Sequence, residues 1–126
     1  MADREMLESA AKAAGMYVLA EGVTWPDEKV GWFFNQVGSN PPALYDRSTL
    51  TRTIWAPLTD DGDALRLAVK LELLPDLWWD DALVSVEYRI HGQLAGQVTE
   101  PRGKDVYAAT RRAIVRAAAE IGRQMA

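Results

Sequence analysis

The chain has 126 residues, no cysteine, a formal net charge of -4 and 48% hydrophobic residues. This length is that of one domain able to bury a core, and we predict a single domain over residues 1–126. The lack of cysteine excludes disulfides and thiolate metal sites, and the acidic balance argues against nonspecific binding to nucleic acid backbones.

The net charge hides an uneven distribution along the chain. From Leu58 to Asp81, seven acidic residues stand against two basic ones, which gives -5. From Pro101 to the end, six basic residues stand against two acidic ones, which gives +4. The two segments therefore either face each other or present opposite patches. The seven acids are Asp60, Asp61, Asp63, Glu72, Asp76, Asp80 and Asp81.

A first helix is predicted to begin at Asp3, which can act as its N-cap, and to run to about Ala14. Gly15 follows as a stop signal. Half of its apolar stripe is alanine, so the helix packs either very close to a neighbour or not very firmly. The residues of this stripe are Met6, Leu7, Ala10 and Ala14.

Three short strands are expected in the first half of the chain. They are Tyr17 to Ala20, Trp32 to Phe34, and an alternating stretch from Ser48 to Trp55. The run from Val37 to Pro42 contains glycine, asparagine and two prolines, which is typical of a loop.

A capped helix is predicted within the stretch from Trp55 to Leu74. Thr59 or Asp60 can accept hydrogen bonds from its first free N–H groups, and Asp61 and Asp63 fall in the first turn, where negative charge suits the helix dipole. The apolar residues that we expect to form its packed face are Leu65, Ala68 and Leu71, with Leu58 packing back on the first turn.

The next segment is predicted to contain a break followed by a hairpin. Pro75 to Asp81 is interpreted as the break. Leu83 to Ile90 alternates clearly and predicts a strand, and Gln93 to Thr99 is expected to return beside it after a turn at His91 and Gly92. One face of the first strand is apolar and the other is polar: Val84, Val86, Tyr88 and Ile90 against Ser85, Glu87 and Arg89.

The longest helix is predicted from Asp105 to Met125, after a linker at Pro101 to Lys104. Its outer face carries a basic ridge of Arg112, Arg116 and Arg123. The order helix, strands, helix, strands, helix predicts an α+β fold, with an antiparallel or mixed sheet covered by about three helices. The expected packed face is Tyr107, Thr110, Ile114, Ala117, Ala118, Ile121 and Met125.

The run from Trp55 to Ala68 (WAPLTDDGDALRLA), together with Ala113 to Arg123 ending in Ile-Gly-Arg, resembles small phage and prophage proteins of unknown function. These proteins are described as an alpha-beta-alpha sandwich type, and the similarity covers about the second half of the chain. The resemblance implies a phage-related origin and a place in the cytoplasm of a bacterial host. The family has no assigned catalytic residues, so it supplies none here.

No arrangement of residue types in the sequence identifies a reaction. The clustered acids at the start of the central helix could bind a divalent cation, but helix capping already explains them. His91 is a lone histidine in a predicted turn, and no nucleophile motif surrounds Ser85 or any other serine. No phosphate-binding loop is present. We therefore predict no catalytic residue, no metal ligand and no cofactor.

Our first functional hypothesis is a non-enzymatic phage accessory protein that binds a host or phage protein, for example an inhibitor of a bacterial defence system. A homodimer is left open and no membrane partner is expected. The alternatives are nucleic acid binding through Arg112, Arg116 and Arg123, which the net charge disfavours, and a small metal-dependent hydrolase using Asp60 and Asp63. The candidate contact patch consists of Asp76, Trp78, Trp79, Asp80 and Asp81, because exposed aromatic residues within an acidic rim are typical of protein-binding surfaces.

Overall fold

A computed structural model describes residues 3–19, 32–35, 43–46, 51–78 and 82–125. Within these ranges the chain forms three helices and seven strands, which confirms the α+β class and the long C-terminal helix. The helices are α1 (Asp3–Ala13), α2 (Asp61–Leu71) and α3 (Val106–Arg123). The strands are β1 (Tyr17–Leu19), β2 (Trp32–Asn35), β3 (Ala43–Asp46), β4 (Thr51–Ile54), β5 (Leu74–Trp78), β6 (Leu83–Ile90) and β7 (Gln93–Pro101).

The first four strands form one mixed sheet in the order β1-β2-β3-β4, with β1 and β2 parallel and the other pairs antiparallel. The predicted strands at Tyr17, Trp32 and Ser48 are confirmed, each within a few residues. Strand β3 was not predicted. The loop predicted from Val37 to Pro42 lies outside the described residues.

Strands β5, β6 and β7 form a separate antiparallel sheet in that order. The predicted β6–β7 hairpin is confirmed, and both turn residues, His91 and Gly92, have positive φ values of 53° and 78°. This conformation matches the twist of the two flanking strands and favours glycine at the second position. The buried Val84, Val86 and Tyr88 face the helices, and Glu87 on the other face is exposed.

The break predicted from Pro75 to Asp81 was wrong for its first half, because residues 74–78 form β5. Pro75 lies opposite Val86 of β6, and Trp78 lies opposite Leu83. A proline cannot donate a backbone hydrogen bond, but an edge strand has one side without a partner strand and tolerates it. Strand β5 is such an edge, since its only neighbour among the described strands is β6.

Helix α3 packs against α1, α2 and the helix-facing side of the β5–β7 sheet. Its contact with α1 is very close, as a Cβ added at Gly122 would collide with the carbonyl oxygen of Ser9. The alanine-rich stripe of α1 predicted either very close or loose packing of this helix, and the structure shows the close packing. The buried residues of the two helices are mostly small: Met6, Leu7, Ala10 and Ala11 in α1, and Ala113, Ile114, Val115, Ala117, Ala118, Ala119 and Gly122 in α3.

The packed faces predicted for α2 and α3 were each partly wrong. In α2 the buried residues are Ala64, Leu67 and Ala68, while Leu65 is exposed. In α3, Tyr107 is exposed although its helical position suggested packing, and Met125 is also exposed, because the helix ends at Arg123. In both helices the buried face is the one that carries the alanines. Small side chains on that face allow the closest contact between α2, α3 and the sheet.

Candidate protein-binding groove

An apolar groove lies between α2, β5 and α3 and encloses about 470 Å³. Its walls are mainly aliphatic and aromatic, and only a few charged groups stand at its margin. The principal lining residues are Leu65, Pro75, Leu77, Tyr107, Thr110 and Ile114.

Three large apolar side chains from three different elements converge on this groove and remain open to solvent. Leu65 of α2 is 63% exposed, Leu77 of β5 is 45% exposed, and Tyr107 of α3 is 68% exposed. Single exposed hydrophobic residues are ordinary, but a contiguous group around a concave surface is typical of a binding site.

The local sequence explains why each of these side chains faces the groove. Leu65 follows the buried Ala64 directly, so it is turned by about 100° from the packed face of α2. Leu77 lies opposite the buried Val84, which places it on the helix-facing side of the sheet, where the cover provided by α3 is incomplete. Tyr107 is in the first turn of α3, five residues before Arg112, which contacts Asp3 at the start of α1.

The two helical walls of the groove are tied together by Arg111 of α3. Its Nη1 atom lies 2.6 Å from Oδ1 of Asp61 at the start of α2, and its Nε donates to the carbonyl oxygen of Leu58 at 2.9 Å. The arginine side chain is 16% exposed, whereas that of Asp61 is 69% exposed, so the ion pair is open to solvent on its Asp61 side. The two contacts thus connect the α2 and α3 walls of the groove.

The surroundings of the groove are acidic. The described part of the acidic segment, from Leu58 to Trp78, carries five acidic and two basic residues and provides the α2 and β5 walls. Several of its acids already have basic partners, including Asp61 with Arg111. Glu72 and Asp76 are exposed and form no ion pair within the described part of the chain. Asp76 lies on the outer face of β5, between two residues that line the groove, so a basic residue of a partner could reach it beside the groove.

The predicted contact patch begins on the same strand as the groove. Asp76 is exposed on β5, between the groove residues Pro75 and Leu77. Trp78 is the last residue of β5, although its side chain is outside the described part of the structure. Trp79, Asp80 and Asp81 also lie outside the described residues, so their place in the patch stays a prediction.

The basic ridge predicted on α3 lies beside a second, charged cleft of about 430 Å³. There, Arg112 and Arg116 each approach one carboxylate oxygen of Glu100 at 3.1 Å, and the Glu100 side chain is 13% exposed. Arg112 also contacts Asp3 at 3.2 Å, and Arg123 pairs with Glu120 at 2.9 Å. These arginines thus connect α3 to α1 and β7, and their charges are largely balanced within the molecule.

The acids at the start of α2 stabilise the helix end and fix the preceding turn. Asp60 is the N-cap, and its side chain accepts the backbone N–H of Asp63 at 2.8 Å. Asp63 in turn accepts the N–H of Ala56 at 2.9 Å and contacts Arg66 at 2.6 Å. The capping interpretation of Asp60 is therefore confirmed. Among the residues that the structure describes, no group of three or more potential ligands is placed to hold a metal ion.

Ser85 and His91 do not form a nucleophile and base pair. Ser85 is buried in β6, and its Oγ accepts a hydrogen bond from Nε2 of Gln97 on β7. His91 lies six residues further along, in the hairpin turn, which is roughly 20 Å away along an extended strand. The buried serine thus provides a polar contact within the sheet.

The groove was not predicted from the sequence, although one signal for it is present there. Helix α2 has two apolar stripes: the buried one through Ala64, Leu67 and Ala68, and a second one, four residues apart, at Leu65 and Val69. The second stripe is exposed at both positions. An apolar stripe beyond what the core requires indicates a second surface to be covered.

No helix within the described ranges is long and apolar enough to cross a membrane. Comparisons with protein-family models, with curated proteins and with solved structures gave no match to this chain.

Proposed function

We propose that this protein is not an enzyme and acts by binding another protein through the apolar groove and the adjoining residues of β5. The observation that supports this most directly is the convergence of Leu65, Leu77 and Tyr107, which are 45–68% exposed, on one groove. The combination of an apolar centre and a charged margin is typical of protein interfaces.

The partner that fits this surface presents apolar side chains flanked by lysine or arginine. The apolar side chains fill the groove, and a basic residue between them meets Asp76, which is exposed on the outer face of β5. An acidic surface of this kind can also occupy the nucleic-acid-binding face of a host protein by imitating phosphate charge.

The resemblance to phage and prophage proteins supports the more specific part of the proposal. We place the protein among phage accessory proteins that work in the bacterial cytoplasm, where it inhibits a defence system or redirects a host enzyme. The contact patch extends from Asp76 into Trp78, Trp79, Asp80 and Asp81. Replacing both tryptophans with alanine is expected to abolish partner binding while the protein remains folded.

A quantitative pull-down from a bacterial host lysate, with mass spectrometry, tests the groove. The test variant carries Leu65→Asp and Tyr107→Asp, and the matched control carries Leu94→Asp, at an exposed leucine of β7 outside the groove. We expect proteins captured by the wild type to be lost with the double variant and retained with the control. Equal capture by the wild type and the double variant would exclude the groove as the binding surface.

The alternative of nucleic acid binding makes a different prediction. It requires a gel shift that weakens as salt is raised and that disappears when Arg112 and Arg116 are replaced. No feature of the charged cleft favours this alternative, because Glu100 lies between the two guanidinium groups and would repel a phosphate.

A further inference from the structure

We propose that the partner binds as an added β-strand along the outer edge of β5, and that it is an extended segment with an apolar-basic-apolar alternation. This inference rests on the proposed function and specifies the mode of binding at the same site. No described strand pairs with the outer edge of β5, so alternate peptide groups along Leu74–Trp78 have no strand partner there.

The groove lies where the side chains of an added strand would need it. Residues opposite each other in neighbouring strands point to the same face of a sheet. Pro75 and Leu77 lie opposite the buried Val86 and Val84, so they are on the helix-facing side. A strand placed next to β5 would direct every second side chain to that side, into the groove beside Leu65 and Tyr107.

The charge of Asp76 determines which residue type is preferred in the added strand, at the position between its two groove-facing side chains. Asp76 lies opposite Ser85, on the face of the sheet that points away from the helices, and it is exposed. An added residue directly across from Asp76 would be on that same outer face. Opposite charges in such cross-strand pairs are favourable and like charges are unfavourable, so a lysine or arginine is preferred there.

The same residue argues against a second copy of this chain as the occupant. Asp76 is the central residue of the five in β5. If two β5 strands paired antiparallel over their full length, Asp76 of one copy would lie opposite Asp76 of the other.

The opposite edge of the sheet, at β7, is less suitable for strand addition. The register shifts between Tyr88 and Arg89, which leaves Ala95 of β7 without an opposite residue. Such a bulge twists an edge away from regular pairing. In addition, the carbonyl oxygen of Thr99 already accepts a hydrogen bond from Arg116 at 2.9 Å.

The probe for this proposal is the synthetic peptide acetyl-Thr-Val-Lys-Val-Thr-amide, whose pattern is the same in either direction. Two control peptides have the same side chains but carry N-methyl groups, one on both valines and the other on the lysine and the last threonine. Successive N–H groups of a strand point to opposite edges, so only one of the two sets faces β5. The measurement is a titration followed by NMR of the backbone amides, up to millimolar peptide.

We expect the parent peptide to shift the amide signals of β5, one methylated peptide to behave like the parent, and the other to lose binding. Replacing the lysine of the peptide with glutamate should weaken binding about two- to fivefold. That preference should reverse with Asp76→Lys, a change at an exposed position that leaves the core intact.

Several results would overturn strand addition. Equal binding of both methylated peptides would show that the groove accepts side chains without using the edge of β5. Absence of any β5 shift at millimolar peptide would exclude strand addition, and dimerisation of the protein with protected β5 amides would identify a second copy as the occupant. If the pull-down still depends on Leu65 and Tyr107 in these cases, groove binding stands and only the strand mode fails.

Discussion

The close contact between α1 and α3 predicts that Gly122→Ala destabilises the protein, although alanine is the better helix former. A Cβ at this position would collide with the carbonyl oxygen of Ser9 and lie 2.7 Å from its carbonyl carbon. Favourable contacts between carbon atoms need roughly 3.5–4 Å, so the helices would have to separate by about 1 Å. The colliding atoms are backbone atoms of α1, which cannot rotate away.

The expected magnitude follows from two opposing terms. Overpacking of a tight interior costs about 1–3 kcal/mol, and a backbone neighbour places this case in the upper part of that range. Replacing glycine with alanine within a helix recovers about 1 kcal/mol. The net loss in the free energy of unfolding is therefore about 1–2 kcal/mol, which lowers Tm by roughly 3–10 °C for a domain of this size.

A matched control is available at Gly62 in the first turn of α2. There an added Cβ meets only the ends of flexible side chains, with the guanidinium of Arg66 at 3.2 Å and a carboxylate oxygen of Asp60 also at 3.2 Å. Gly62→Ala is expected to be neutral or to stabilise by a few tenths of a kcal/mol. Urea unfolding followed by circular dichroism measures both variants. A Gly122→Ala protein as stable as the wild type would refute the close packing of α1 on α3.

Three further predictions concern the capped helix, the charged cleft and the groove. Asp60→Ala removes the N-cap of α2 and should cost about 1 kcal/mol in urea unfolding; no change would contradict its capping role. Glu100→Gln removes the shared partner of two arginines and should cost about 1–2 kcal/mol, whereas Asp3→Asn, at a more exposed pair, should cost less than about 0.5 kcal/mol. Leu65→Ala should change stability by less than about 0.5 kcal/mol, while Leu67→Ala should cost about 2–5 kcal/mol; equal losses would assign Leu65 to the core.

Local patterns were sufficient where the signal lies within a few residues. The cap at Asp60, the alternation from Leu83 to Ile90, the turn at His91 and Gly92, and the long final helix were all predicted and are present. In each case the stabilising contacts lie within one element or between neighbours in the chain. The strand at Leu74–Trp78 was missed because it contains a proline. Proline is disfavoured in a central strand but tolerated in an edge strand, and only the strand order shows that β5 is at an edge.

The candidate site depends on information that no single segment contains. Composition and charge alone favoured a protein-binding role and placed the acidic residues near Asp76. The groove itself required α2, β5 and α3 to meet, with Leu65 and Tyr107 left outside the core. The sequence thus determined which segments are helical, extended or acidic, since those properties arise from local periodicity and side-chain charge. Only the tertiary structure decided which apolar stripe is buried, because that depends on how closely the alanine-rich faces of the helices approach one another.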